Sequence, residues 1–169
     1  MRNTSSKTKR GKVSKGADRK NTGRSGVVNG YVHGQTGKSG KAIAESLTPA
    51  RIIEFIEDGL PIQELDDLQA SLDVDMEKLA SVLGISKATL HRRKAEGRLE
   101  PGESDRALRF ARLLGKAVTV FGGIEKARQW LTSPQFGLSG AVPLAYAETE
   151  LGAREVENLL GRIEYGVYS

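Results

Sequence analysis

From Thr48 onwards, apolar residues recur at three- and four-residue steps, the spacing of an amphipathic helix. Thr48-Pro49 has the form of an N-cap followed by proline at the first helical position, and Gly59 ends that helix. The spacing predicts helices over 49–58, 61–72, 87–96, 103–121, 124–131, 143–148 and 153–165, and a further one around 79–83. Asp73 or Asp75 is the predicted cap of the helix around 79–83, and Ser86 that of the helix over 87–96. No stretch alternates apolar and polar residues for the length of a strand. The predicted fold class is therefore all-α.

The first 41 residues have a different composition. They contain no Leu, Ile, Phe or Trp, but they contain eight glycines. Such a segment buries too little apolar surface to offset its chain entropy, so residues 1–41 are predicted to form a disordered arm. The arm carries eleven Lys and Arg against one acid, a net charge of +10, whereas residues 42–169 carry −5. We interpret it either as an arm that tracks phosphates or as a solvated tail that aids solubility.

Several classes of protein are disfavoured by composition. The chain has no cysteine, hence no disulfide and no thiolate metal site. It has neither an apolar run of roughly 18 residues nor the apolar core of a secretory signal, which favours a cytoplasmic protein without a membrane segment. The two histidines, His33 and His91, do not belong to any sequence motif with metal-ligand or catalytic spacing. We therefore expect no enzyme activity, no catalytic residue, no metal and no cofactor.

Residues 79–90, with the sequence LASVLGISKATL, match the spacing of a helix-turn-helix. Ala80 is small where the two helices touch. Gly84, four residues later, suits the positive φ of the turn, and Leu90, six further on, anchors the second helix. Three constraints at fixed spacing predict a DNA-binding domain over residues 42–101.

The distribution of charge agrees with this reading. Residues 42–86 have a net charge of −8, whereas residues 87–98 have +4. The basic residues thus lie on and just after the predicted recognition helix, whose N-terminal end usually reaches base edges. A helical hairpin with a solvated basic face is the alternative. Arg93 and Lys94 stand where a second apolar anchor is common, so Leu99 is expected to supply that packing. The predicted DNA-binding residues are Ser86, Lys87, Ala88, Thr89, His91, Arg92, Arg93, Lys94 and Arg98.

The remaining motifs follow one another in a recognisable order. They are ESDR at 103–106, VFG at 120–122, EKARQWL at 125–131, LSGAVPL at 138–144, GAREV at 152–156 and LLGRIEYGV at 159–167. This order resembles the Xre/MbcA/ParS antitoxins, in which an Xre-like helix-turn-helix precedes a toxin-binding domain. The resemblance covers residues 48–169 and implies a small helical toxin-binding domain over 102–169. The basic arm is not part of the family pattern.

The resemblance implies the antitoxin of a type II toxin–antitoxin operon. The usual partner is a toxin of the RES fold, which acts on NAD. The antitoxin would dimerise, block the toxin's NAD cleft with its C-terminal region, form a larger complex with the toxin and repress its own operator DNA. A stand-alone helix-turn-helix regulator without a toxin partner is the alternative.

Aromatic residues at a chain end have little of their own chain to pack against and therefore suit insertion into a partner. The helix that precedes them would hold them in place. The predicted toxin-binding residues are Arg154, Leu160, Arg162, Ile163, Glu164, Tyr165, Gly166, Val167 and Tyr168.

Overall fold

A computed structural model describes residues 26–33 and 47–166. Its helices are α1 (Val27–His33), α2 (Pro49–Asp58), α3 (Ile62–Leu72), α4 (Met76–Val82), α5 (Lys87–Glu96), α6 (Pro101–Phe121), α7 (Ile124–Thr132), α8 (Pro143–Tyr146) and α9 (Glu150–Glu164). A 3-10 turn at Phe136–Leu138 lies between α7 and α8. Within these two ranges there is no β-strand, only one isolated antiparallel bridge between Pro61 and Arg98. The all-α prediction is confirmed.

The predicted caps of α2 and α5 are present. The hydroxyl of Thr48 accepts a hydrogen bond from the backbone N–H of Arg51 at 3.4 Å, and the hydroxyl of Ser86 accepts one from Thr89 N–H at 3.1 Å. Each bond satisfies one of the backbone donors that a helix leaves unpaired at its first turn. Local sequence therefore set where these helices begin.

Two helices begin earlier than predicted. α6 starts at Pro101, where the Glu103 carboxylate accepts the backbone N–H of Glu100 at 2.9 Å. α9 starts at Glu150, because the hydroxyl of Thr149 caps the N–H of Gly152 at 3.0 Å. Both differences amount to two or three residues at a helix end.

The core runs along α6, which packs against α1, α2, α7 and α9. Its apolar stripe is buried at Ala107, Ala111, Leu114 and Val118. The predicted domain boundary after residue 101 falls where α6 begins. This helix contacts α2 and α3 on one side of the boundary and α7 and α9 on the other, so both halves of the chain share it.

The prediction of a disordered arm over residues 1–41 is wrong for residues 26–33. This segment forms α1, which lies against α6 and α3, and Val28 and Val32 are fully buried. α1 approaches α6 at Gly115, where an added Cβ would overlap the carbonyl oxygen of Tyr31. Composition averaged over 41 residues concealed this local group of valines and tyrosine. Residues 1–25 and 34–41 of the arm lie outside the described residues.

Glu64 on α3 holds the first turn of α1. Its carboxylate accepts the backbone N–H groups of Val27 at 3.0 Å and Val28 at 2.9 Å. Burial raises the pKa of Glu64, while these two hydrogen bonds act in the opposite direction. The acidic side chain that caps α1 thus comes from a residue 37 positions further along the chain.

In the described parts of the chain, no helix combines the length and the apolar character that crossing a bilayer requires.

Candidate nucleic-acid interface and partner surface

α4 and α5 form a helix-turn-helix with the predicted internal geometry. Ala80 is buried between the helices, and its carbonyl accepts the N–H of Ile85 at 2.8 Å across the turn. Gly84 has φ +65°, a conformation that side-chain-bearing residues rarely adopt. Leu90 anchors α5 in the core. The helix-turn-helix prediction is confirmed in its three constrained positions.

Most of the predicted DNA-binding residues lie at the surface. Thr89 is half-buried in the first turn of α5, where its hydroxyl accepts a hydrogen bond from the Ser86 hydroxyl at 2.9 Å. The exposed members are Ser86, Lys87, Ala88, His91, Arg92, Lys94 and Arg98. A cationic surface on a recognition helix is available to phosphates and base edges, so the geometry is compatible with DNA binding.

Lys87, at the start of α5, is held by an acid on α4. Its Nζ lies 2.9 Å from Oε1 of Glu77, and both side chains are exposed. The hydrogen bond lowers the pKa of Glu77 and raises the pKa of Lys87, so both charges are retained. DNA phosphate would compete with Glu77 for this lysine.

Arg93 is not a DNA contact, and this prediction is wrong. Its side chain is only 5% exposed and lies between α5 and α6. Nε donates to Oε2 of Glu103 at 2.7 Å, Nη1 donates to Oε2 of Glu96 at 2.7 Å, and Nη2 pairs with Glu100. Leu99 is buried in the core and supplies the apolar packing expected of it. The acids at intervals of three, seven and ten residues after Arg93 were the sequence signal that was missed.

The cluster fixes the recognition helix to α6. Burial opposes ionisation of Glu103, but the hydrogen bonds from Arg93 and from the Glu100 N–H outweigh it and lower the pKa of Glu103. Arg106 adds a second link, because its Nε donates to the carbonyl oxygen of Leu83 at 2.6 Å, in the turn before α5. These charged side chains thus join the recognition helix and the turn before it to α6.

The predicted toxin-binding residues divide into three groups. Leu160 is fully buried in the core, so its prediction as a contact residue is wrong; it anchors α9 instead. Val167 and Tyr168 lie outside the described residues. Ile163 is half-buried, whereas Arg154, Arg162, Glu164, Tyr165 and Gly166 are exposed. Tyr165 is 79% exposed immediately after the last turn of α9.

Sequence reasoning overlooked other exposed apolar side chains in the C-terminal half. Phe136 is 100% exposed, Leu151 is 72% exposed, and Tyr146 is also at the surface. Trp130, in contrast, is half-buried and packs on Phe121 with 5.5 Å between ring centroids. The position of Phe136 in a Pro-Gln-Phe-Gly segment, which is typical of a turn, was the available signal.

No metal-binding cluster of three or more His, Asp or Glu residues occurs within residues 26–33 and 47–166. His91, the histidine of α5, is exposed to solvent among basic neighbours.

These features define a helix-turn-helix DNA-binding protein with a helical C-terminal domain that exposes apolar side chains. The profile described as "Antitoxin Xre-like helix-turn-helix domain" matches residues 51–112. The profile described as "Antitoxin Xre/MbcA/ParS C-terminal toxin-binding domain" matches residues 116–166.

Related proteins agree with these matches. An Antitoxin Xre of Yersinia enterocolitica is 36% identical over 120 residues, which is 70% of this chain and 81% of the relative. An Antitoxin Xre of Photorhabdus laumondii is 35% identical over 117 residues, which is 68% of this chain and 79% of the relative. A protein of Sphingobium named Prs ADP-ribosylating antitoxin is 26% identical over 132 residues, which is 72% of this chain and 83% of the relative. The chain belongs to the Xre/MbcA/ParS antitoxin family and is an antitoxin with a DNA-binding and a toxin-binding domain.

Proposed function

We propose that this antitoxin neutralises a RES-fold toxin by occluding its NAD cleft with the C-terminal end of α9 and the residues that follow. The observation that carries the proposal is Tyr165, an aromatic residue that is 79% exposed at the end of α9, while Val156 and Leu160 on the same helix are buried in the core. A rigid support lowers the entropy lost when such a residue enters a pocket. Arg162 and Glu164 would add polar contacts for a cleft that binds phosphates and ribose.

An NAD-directed partner is also supported by the name of the Sphingobium relative, which links ADP-ribosylation to an antitoxin. ADP-ribosyl groups are derived from NAD. The relatives from Yersinia and Photorhabdus, which match over about four fifths of their own length, carry the name Antitoxin Xre without naming a toxin.

The test is co-expression of the full chain with the protein encoded next to it in the operon. We expect the two proteins to purify as one complex and the antitoxin to stop NAD consumption by its partner. A partner that consumes NAD equally fast with and without a stoichiometric excess of antitoxin would contradict the proposal.

We further propose that the chain, as a homodimer and in a larger complex with toxin, represses its own operon through α5. The exposed cations Lys87, Arg92, Lys94 and Arg98 support this role. A two-fold dimer would place its recognition helices about 34 Å apart, or a multiple of that, to meet successive major grooves. Footprinting on the promoter should reveal two protected half-sites at this spacing. A stand-alone regulator, the alternative, would protect the same sites but bind no toxin.

A further inference from the structure

Phe136 is an unusual surface residue in the toxin-binding domain. Among the described residues it is the large apolar side chain with the greatest exposure, 100%, although Leu131 and Leu138 on either side of it are buried. Single apolar residues at a protein surface are common and do not by themselves indicate a binding site. The significance of Phe136 comes from the backbone that carries it.

That backbone is held by a network centred on Gln135. The side-chain amide of Gln135 donates to the carbonyl oxygens of Trp130 at 2.9 Å and Ser133 at 3.0 Å. The backbone N–H of Gln135 donates to the carbonyl oxygen of Ala141 at 3.0 Å. The carbonyl oxygen of Gln135 accepts the backbone N–H groups of Leu138 at 3.1 Å and Gly140 at 3.0 Å. Both ends of the turn are therefore closed by hydrogen bonds next to the exposed ring.

The turn also rests on α9. The backbone at Gly137 lies against the side chain of Leu159, since a Cβ added at Gly137 would be 2.6 Å from Leu159 Cδ1. Leu138 inserts into the core on the same turn. Phe136 thus projects from a turn that is fixed on two sides, and little backbone entropy would be lost when the ring is bound.

We infer that Phe136 is an anchor residue for the toxin and that its ring enters an apolar pocket on the toxin surface. The inference rests on the proposed function. The toxin is the occupant because the profile of the toxin-binding domain, residues 116–166, includes this turn and α9, on which the turn rests. A phenylalanine side chain buries roughly 150–250 Å² when it is enclosed, the type of contact that dominates interface energetics.

The experiment compares binding of the operon-encoded partner to full-length wild type, Phe136→Ala, Phe136→Leu and Ile53→Ala. Ile53 is the matched control, because it is an exposed apolar residue on α2, outside the toxin-binding domain. We expect Phe136→Ala to raise the Kd by about thirtyfold or more, the threshold of an interface hot spot. Phe136→Leu should lose less affinity than Phe136→Ala, and Ile53→Ala should bind with the Kd of the wild type.

The outcomes separate this inference from the function on which it rests. Wild-type affinity of Phe136→Ala, in an antitoxin that binds its partner, would overturn the inference and leave the proposed function intact. Failure of the wild type itself to bind would overturn both. If Phe136→Ala converts the toxin-free antitoxin from dimer to monomer, the ring contacts a second antitoxin chain instead of the toxin. That result would also overturn the inference. Because the Phe136 ring is fully exposed, the melting temperature and DNA affinity of both Phe136 variants should remain those of the wild type.

Discussion

Arg93 donates a hydrogen bond from Nε to Oε2 of Glu103 at 2.7 Å, with both side chains almost inaccessible to water. The pair joins the recognition helix to the first turn of α6. Glu96 and Glu100 take up further donors of the same guanidinium. The basic residue in the middle of the recognition helix therefore orients that helix rather than contacting DNA.

Arg93→Ala should lower the melting temperature, because it leaves the Glu103 carboxylate buried without its cation. Arg92→Ala is the matched control: this neighbour is exposed, with its Nε 3.9 Å from a Glu96 oxygen, so the melting temperature should change little. Calorimetry of both variants at pH 7 provides the comparison. A larger thermal loss in Arg92→Ala than in Arg93→Ala would contradict the structural role of Arg93.

The same pair predicts how stability depends on pH. The folded-state pKa of Glu103 is lowered, so its contribution is fully present above the unfolded-state value near 4.5 and is lost as the pH falls through the folded-state pKa. In Glu103→Gln this contribution is absent at every pH. The difference in free energy of unfolding between wild type and Glu103→Gln should therefore decrease on acidification from pH 6 to pH 3, as measured by urea titration. A difference in free energy of unfolding that increases towards acid pH would contradict the lowered pKa of Glu103.

Lys87→Ala and Arg92→Ala should each weaken binding to the operator. The logarithm of the binding constant falls with the logarithm of the salt concentration by about one unit for each phosphate contact, so each variant should lower that slope by about one. Lys126→Ala is the control, because Lys126 is an exposed cation on α7, away from the helix-turn-helix. An unchanged affinity and salt slope in the double variant Lys87→Ala, Arg92→Ala would exclude α5 as the DNA-reading helix.

Gly115→Ala should displace α1 from α6, because the new Cβ would overlap the Tyr31 carbonyl oxygen, a backbone atom that cannot rotate away. We expect a loss of about 1–3 kcal/mol, as for other overpacked cores. Gly102→Ala is the matched control in the same helix, where the nearest atom to an added Cβ is 3.7 Å away. That variant should be neutral or slightly stabilising, since alanine is the better helix former. Equal melting temperatures for both variants would refute close packing of α1.

A chain that ends at Gly161 should still bind DNA but no longer protect cells from the toxin. The truncation removes Arg162, Ile163, Glu164, Tyr165 and the residues after them, and it retains the buried anchors Val156 and Leu160. Growth after toxin induction measures protection, and operator binding verifies that the fold is intact. Full protection by the truncated chain would move the inhibitory surface to residues 130–143, the region of Phe136.

Much of the helical architecture could be read from local sequence. Thr48 and Ser86 cap their own helices within three residues, and Ala80, Gly84 and Leu90 define the helix-turn-helix within eleven. Interactions at such short range depend little on the rest of the fold, which is why these predictions succeeded.

Which way the side chains point, and that part of the N-terminal segment forms helix α1, could not be predicted from local sequence. Whether Arg93 faces DNA or α6 depends on three acids that come together only after α5 and α6 have packed. Helix α1 depends on Glu64 and on the space at Gly115, which lie tens of residues away in the sequence. By itself, the sequence determined the fold class and the helix-turn-helix, because these reside in short-range spacing. The resemblance to the antitoxin family came from the order of motifs over residues 103–167. Tertiary structure alone decided which charges and aromatic rings reach the surface, because burial results from contacts between distant parts of the chain.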